Sequence, residues 1–223
     1  MLESKGIIKG VQRGVLSVFR ELPDSGNFFL TGGTALSDFY LEHRLSFDLD
    51  LFTRAEKLVR PFSHVLESEL RKRFKTEVIR RFETFVEFQA EEKGDKTIIQ
   101  LAYDTPFRLE EPVLSGQGMR VSGYDDLIAD KLLAFFGRVE PRDAVDVYFI
   151  LKRENLRRLI SLAEKKDPGF DEYHLAAAFS GTGVFPDDIG KWPVEMLEKV
   201  SAAEIKNDFA RLSAEVMDGI RKK

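Results

Sequence analysis

The sequence predicts an α+β (mixed α/β) fold, with an α/β half over residues 1–120 and a helical half over residues 121–223. Three observations carry this. A short apolar run, Asn27-Phe28-Phe29-Leu30, enters Gly32-Gly33 and leads into a helical pattern. Polar and apolar residues alternate over Ser46-Phe47-Asp48-Leu49-Asp50-Leu51-Phe52, the mark of a half-buried strand, and further strand-like runs follow before Pro106. Beyond Gly118 the apolar spacing turns helical and stays so.

Ile7, Ile8, Val11, Val15, Val18, Phe19 and Leu22 recur at helical spacing, so a first amphipathic helix is expected from about Lys5 to Leu22, closed by Pro23. A strand, a tight glycine turn and a helix from about Thr34 to Leu41 come next. The alternating strand follows, and a second helix is expected over Pro61 to Phe74. Glu77–Phe82, Thr84–Ala90 and Thr97–Tyr103 read as three strands, with Glu91-Glu92-Lys93-Gly94-Asp95 turning into the last. In the second half, helices are expected over Tyr124–Phe136, Ala144–Leu151, Leu156–Ala163 and Tyr173–Phe179, with a long one from about Val194 to Ile220. No linker-like composition divides the halves, so one body with a cleft at the junction is expected.

Composition narrows the chemistry. The 223 residues are 43% hydrophobic, enough to bury a core, and the net charge of -4 argues against wholesale coating of nucleic acid. The absence of cysteine excludes disulfides and thiolate metal sites. The N-terminus lacks the apolar run of a signal peptide, and no stretch is long enough to span a bilayer; the expected location is cytoplasmic, with no membrane partner. One dense basic stretch, Arg71-Lys72-Arg73-Phe74-Lys75, with Arg80 and Arg81 nearby, reads either as the solvated end of a helix or as a contact for an RNA backbone.

Asp48 and Asp50 are two apart on a strand, so both carboxylates leave one face. Two such groups repel, and a hard divalent cation relieves that cost. The cation could neutralise a triphosphate and hold its α-phosphorus for in-line attack. The competing reading is a plain exposed edge strand. Gly32-Gly33 lets a backbone approach a phosphate closely, the following helix start offers N–H groups, and Thr34 adds a hydroxyl; a structural turn accounts for the glycines equally well. The two features in this order are far more specific than either alone.

At these residues the chain resembles the AbiEii/AbiGii-type toxin-like nucleotidyltransferases of abortive-infection, type IV toxin–antitoxin systems. The first resembling block is Gly32-Gly33-Thr34-Ala35-Leu36, Tyr40, His43-Arg44, Ser46-x-Asp48-x-Asp50 and Phe52. The second is Asp126-Leu127-Ile128-Ala129-Asp130-Lys131-Leu132-Leu133-Ala134, Arg138 and Arg142-Asp143-x-x-Asp146-Val147-Tyr148. Together they cover about residues 28 to 151. The resemblance implies a nucleotidyltransferase core with a central mixed sheet, followed by helices that complete the cleft. It implies Mg²⁺ or Mn²⁺ on Asp48 and Asp50, and an NTP whose triphosphate Gly33 and Thr34 position beside Gly32; Ser46 reads either as a metal-site or phosphate contact or as a strand-start hydrogen bond. Lys131 and Asp146 match the family's catalytic lysine and aspartate. Lys131 suits a phosphate as a point charge; Asp146 either orients it or accepts the acceptor's proton, and a helix–helix salt bridge involving Arg138 or Arg142 is the structural alternative. Arg44 either neutralises phosphate or braces Asp48 or Asp143, and His43 is read as a structural hydrogen-bonder.

The implied reaction moves a nucleoside monophosphate to a hydroxyl acceptor such as the 3′ end of tRNA, giving a toxin countered by an antitoxin. Antibiotic-type small-molecule transfer and an inactive nucleotide-binding module are the alternatives; a glycosyltransferase using Asp-x-Asp lacks the βαβ unit it would need. Gln100 stands where a third carboxylate is expected, and Asp104 follows four residues later on the same face.

Overall fold

The computed structural model describes residues 1–105 and 107–222. It divides the chain into two compact units. The first holds Met1–Glu42 and Ser46–Tyr124; the second holds His43–Leu45 and the chain from Asp125 onward.

The first unit is built on a seven-stranded mixed sheet, ordered β3-β4-β5-β2-β1-β7-β6. Its strands are β1 (Phe28–Thr31), β2 (Asp48–Thr53), β3 (Lys75–Arg81), β4 (Phe85–Glu92), β5 (Asp95–Tyr103), β6 (Val113–Leu114) and β7 (Arg120–Val121). β2 lies antiparallel to β1 and parallel to β5, while β4 and β5 form a hairpin. The hairpin closes through Lys93-Gly94, both at positive φ (53° and 88°), the backbone a two-residue turn of this twist demands. Along β2 Leu49, Leu51 and Thr53 are buried while Asp48, Asp50 and Phe52 are half-exposed, so the alternation in the sequence does set the faces.

The apolar face is covered by α1 (Gly10–Arg20) and α3 (Val59–Leu70). Phe19, Phe28 and Phe62 join α1, β1 and α3 with ring centroids 4.5–5.9 Å apart. The first helix starts five residues later than its periodicity suggests. Asp38 Oδ1 accepts hydrogen bonds from the Ile7 and Ile8 amides and keeps that segment out of the helix. Asp95 then accepts from the Val11 amide and satisfies the new helix end. The helix after β1 is α2 (Gly32–Leu36), which widens into a π-helical turn over Ser37–Leu41.

The second unit is helical: α4 (Tyr124–Arg138, its first residue belonging to the first unit), α5 (Pro141–Leu151), α6 (Leu156–Lys166), α7 (Glu172–Gly181) and α8 (Ala202–Arg221). Phe135, Phe179 and Phe209 pack at 5.0–5.5 Å and tie α4, α7 and α8 together. Residues 194–200, expected to be helical, are not. The helix begins after Ser201, whose capping box with Glu204 stops it extending backwards. The freed backbone accounts for the place of residues 43–45: Leu45 N–H donates to Glu195 O (2.8 Å) and Leu197 N–H donates to His43 O (2.9 Å). Among the described residues no helix is long and apolar enough to cross a membrane.

Candidate active site

The residues that point to phosphate chemistry fall into two clusters, one in each unit. In the first, β1 runs into the glycine turn and pairs with β2 so that Thr31 lies opposite Asp50. Gly32 sits at φ 69°, in the left-handed region that glycine alone enters freely. A Cβ there would fall 2.8 Å from Asp50 Cγ and closer still to Oδ2, so the glycine makes the space the Asp50 carboxylate occupies. Gly33 is not in that region, and the two glycines are therefore not equivalent. Thr34 is 2% exposed, and its hydroxyl donates to the Asp48 carbonyl, fastening the helix start to the strand that carries the aspartates. Ser46 is half-exposed just ahead of β2, and its carbonyl accepts from Gln12 Nε2 (3.0 Å).

Asp48 and Asp50 are about 7 Å apart along the strand on its half-exposed face. Among the described residues no group of three or more carboxylate, imidazole or thiol side chains gathers around a point. Two hard oxygen donors on one half-exposed strand face still fit a magnesium-like ion. Such an ion is commonly held by one or two carboxylates, with substrate phosphates and water completing its shell.

Gln100 is the direct β5 neighbour of Asp50, so it occupies the place where a third acid would stand. Asp104 is not brought to that place. Its amide bonds to Thr53 O (2.8 Å), three residues past Asp50 or about 10 Å along the strand. Its carboxylate is engaged by Arg108 and by the Thr105 amide (2.9 Å). The nearest further acid on this face escaped the sequence reading: Glu87 of β4 lies opposite Gln100, 7% exposed, with Arg80 Nη2 2.9 Å from its Oε2. Strand alternation could have shown its face, but only the register shows its neighbour.

The second cluster surrounds Asp146, a fully buried residue of α5. Arg44 grips it in a fork, with Nε donating to Oδ1 (2.7 Å) and Nη2 to Oδ2 (2.8 Å). His43 Nε2 lies 2.6 Å from Oδ1, and Lys131 Nζ of α4 lies 2.7 Å from Oδ2. Arg44 was expected to meet phosphate, Asp48 or Asp143; it forks onto Asp146, a partner outside those alternatives. Asp143 is taken instead by Arg138 (2.6 and 3.0 Å), and Arg142 pairs with Glu140 (3.0 Å). Burial alone would push the Asp146 carboxyl up. The charges of Arg44 and Lys131, with hydrogen bonds from His43 and Arg44, outweigh it and hold the group well below the ordinary carboxylate range. With both oxygens engaged by Arg44, His43 and Lys131, this geometry suits orienting Lys131.

His43 is fully buried, and burial, aided by the charges of Arg44 and Lys131, lowers its pKa against the upward pull of Asp146. Folding therefore favours the neutral ring, with Nε2 carrying the proton toward Asp146. The unfolded chain binds the extra proton first, so this residue contributes stability above its ordinary pKa of 6.5 and loses it as pH falls. His43→Gln is expected to flatten the decline in melting temperature between about pH 6.5 and pH 5. Melting curves across that range check it, and an unchanged slope would show that another group governs the acid side.

The basic stretch lies at the exposed turn between α3 and β3, and several of its charges are matched by acids. Arg71 pairs with Glu67 (2.8 Å), Lys72 with Glu69 (2.7 Å), Lys75 with Glu91 (3.6 Å), and Arg81 with Glu67.

Solved structures share this fold, a mixed sheet followed by helices. A protein from H. pylori, provisionally assigned as a nucleotidyltransferase, superposes with a TM-score of 0.58 at 16% identity, covering 94% of this chain and 95% of its own. JHP933 from Helicobacter pylori gives 0.57 at 16% identity, with 94% and 92% covered. MenT4, a nucleotidyltransferase toxin from Mycobacterium tuberculosis, gives 0.55 at 17% identity, with 84% and 76% covered. At these identities the likeness establishes the fold. The family follows from the sequence: the family model described as Nucleotidyl transferase AbiEii toxin, Type IV TA system, matches residues 15–222, and the chain belongs to that family. It is thus a nucleotidyltransferase toxin of the type IV toxin–antitoxin class. No curated protein matches the chain.

Proposed function

We propose that this chain transfers a nucleoside monophosphate from an NTP to a hydroxyl on RNA, the 3′ end of tRNA being the acceptor favoured, with release of pyrophosphate. The reaction is placed in the cytoplasm, under the control of a cognate antitoxin. One observation carries the reading: the Asp48 and Asp50 side chains share the half-exposed sheet face, and Gly32 makes room for the Asp50 carboxylate. Asp48 and Asp50 would hold Mg²⁺ or Mn²⁺, which when bound neutralises triphosphate charge. Gly32 and Gly33 admit the phosphates close to the backbone, and Thr34 keeps the turn in register with β2. Ser46 is a further phosphate contact. In the second unit Lys131 is the cation offered to a phosphate oxygen. Asp146, Arg44 and His43 support its position, with Arg44 read as a brace.

The test is incorporation of label from each of the four NTPs into total tRNA, with Mg²⁺ or Mn²⁺. Transfer that Asp50→Ala abolishes is the expected result. Labelling of an aminoglycoside or lincosamide in place of RNA would move the acceptor to a small molecule. No incorporation under any NTP and either metal would favour a nucleotide-binding module, for which Gln100 in the place of an acid is the supporting feature.

A further inference from the structure

A hydroxyl that attacks phosphorus must lose its proton, and none of the carboxylates expected from the sequence is placed to take it. Asp146 is saturated by Arg44, Lys131 and His43. Asp104 is engaged by Arg108 and its own turn at the far end of β5. Asp48 and Asp50 are assigned to the cation. The sheet register supplies another. Thr31, Asp50, Gln100 and Glu87 lie in one row across β1, β2, β5 and β4, and directly paired residues on neighbouring strands face the same side.

We propose that Glu87 is the proton acceptor for the attacking hydroxyl, with Gln100 beside it as the hydrogen-bonding group that positions the acceptor. This rests on the nucleotidyl-transfer reading. Neighbouring strands are about 4.8 Å apart, so the Asp50 and Glu87 backbones are about 10 Å apart with Gln100 between them. A ribose hydroxyl placed at Gln100 would have Asp48 and Asp50 on one side and Glu87 on the other. Glu87 is 7% exposed, and its Oε2 accepts no hydrogen bond although Arg80 Nη2 is 2.9 Å away, off the bonding direction. A buried carboxylate oxygen with a counter-charge but no hydrogen bond is costly as a mere brace. It does keep a lone pair available for an O–H donor. In the step, the acceptor oxygen forms a bond to the α-phosphorus and the bond from that phosphorus to the bridging oxygen breaks. Pyrophosphate leaves with that electron pair, and the hydroxyl proton passes to Glu87 and then to water.

The experiment compares the wild-type chain with Glu87→Gln, Glu87→Ala and Arg80→Met in the labelled-NTP and total-tRNA assay, with thermal melts to confirm folding. Glu87→Gln is expected to lower kcat by about 10²–10⁴-fold while leaving KM for the NTP nearly unchanged. Formate added to Glu87→Ala should restore part of the rate, since a small carboxylate can occupy the vacated place. Arg80→Met removes the cross-strand pair but keeps the carboxylate, and should retain rates within about tenfold of wild type. Wild-type rates in Glu87→Gln would overturn the assignment. So would equal losses in Glu87→Gln and Arg80→Met together with no response to formate, which would make the pair a brace only. Failure of the wild type to transfer any label would instead bring down the nucleotidyl-transfer reading, and this assignment with it.

Discussion

Asp146→Ala is expected to destabilise the helical unit by about 3–5 kcal/mol, because it strands buried cations. Arg44 is 6% and Lys131 9% exposed, and Asp146 is the anion both share. Without it Arg44 loses both arms of its fork and Lys131 is left with Asp143 at 3.8 Å. Asp143 already serves Arg138, so it compensates poorly. Asp146→Asn keeps the shape but not the charge and should fall between wild type and alanine. The loss should be as large at pH 5 as at pH 7. The folded Asp146 titrates well below its ordinary value of 3.8, so its contribution is present above that value and disappears only in stronger acid. Urea unfolding at both pH values measures this. A cost below about 1 kcal/mol would mean that water reaches the cluster and that the cations are not buried in the sense argued.

Gly32→Ala is expected to lower nucleotidyl transfer by about 10²-fold or more, since sub-ångström placement of a reacting group is worth that much. The alanine Cβ and the Asp50 carboxylate cannot both keep their places, and the backbone at φ 69° adds strain for any residue but glycine. The carboxylate can turn away, so the loss should fall on function more than on folding. Gly33→Ala meets no left-handed backbone and should be milder. Parallel rates and melting temperatures for the two variants decide the matter. Full activity in Gly32→Ala would mean that Asp50 does not need its present position.

Much of the site's first half was legible in the sequence because its causes are local. Alternation over residues 46–52 set the faces of β2, and the glycine pair between an apolar run and a helical pattern marked the tight turn. The capping box at Ser201 and Glu204 was equally local and could have stopped the last helix from being drawn back to Val194. Other features have remote causes. The start of α1 is decided by Asp95, 84 positions away, and the segment before it by Asp38. Arg44 meets Asp146 in a segment, residues 43–45, that is drawn by backbone bonds to residues 195–198, a region with no strand-like pattern. Glu87 has nothing in its own neighbourhood to single it out. Its place beside Gln100 exists only in the register of β4 against β5. Short β6 and β7, two residues each, lie below the length at which alternation can be read.

The most direct measurement needs no acceptor: titration of the wild-type chain with each NTP, with and without Mg²⁺ or Mn²⁺, beside Asp48→Ala and Asp50→Ala. If the paired aspartates form the nucleotide-metal half of the site, at least one NTP binds in a divalent-dependent way, and either substitution removes that dependence while the protein stays folded. Divalent-dependent binding that survives both substitutions would contradict the central claim and place the nucleotide elsewhere on the molecule.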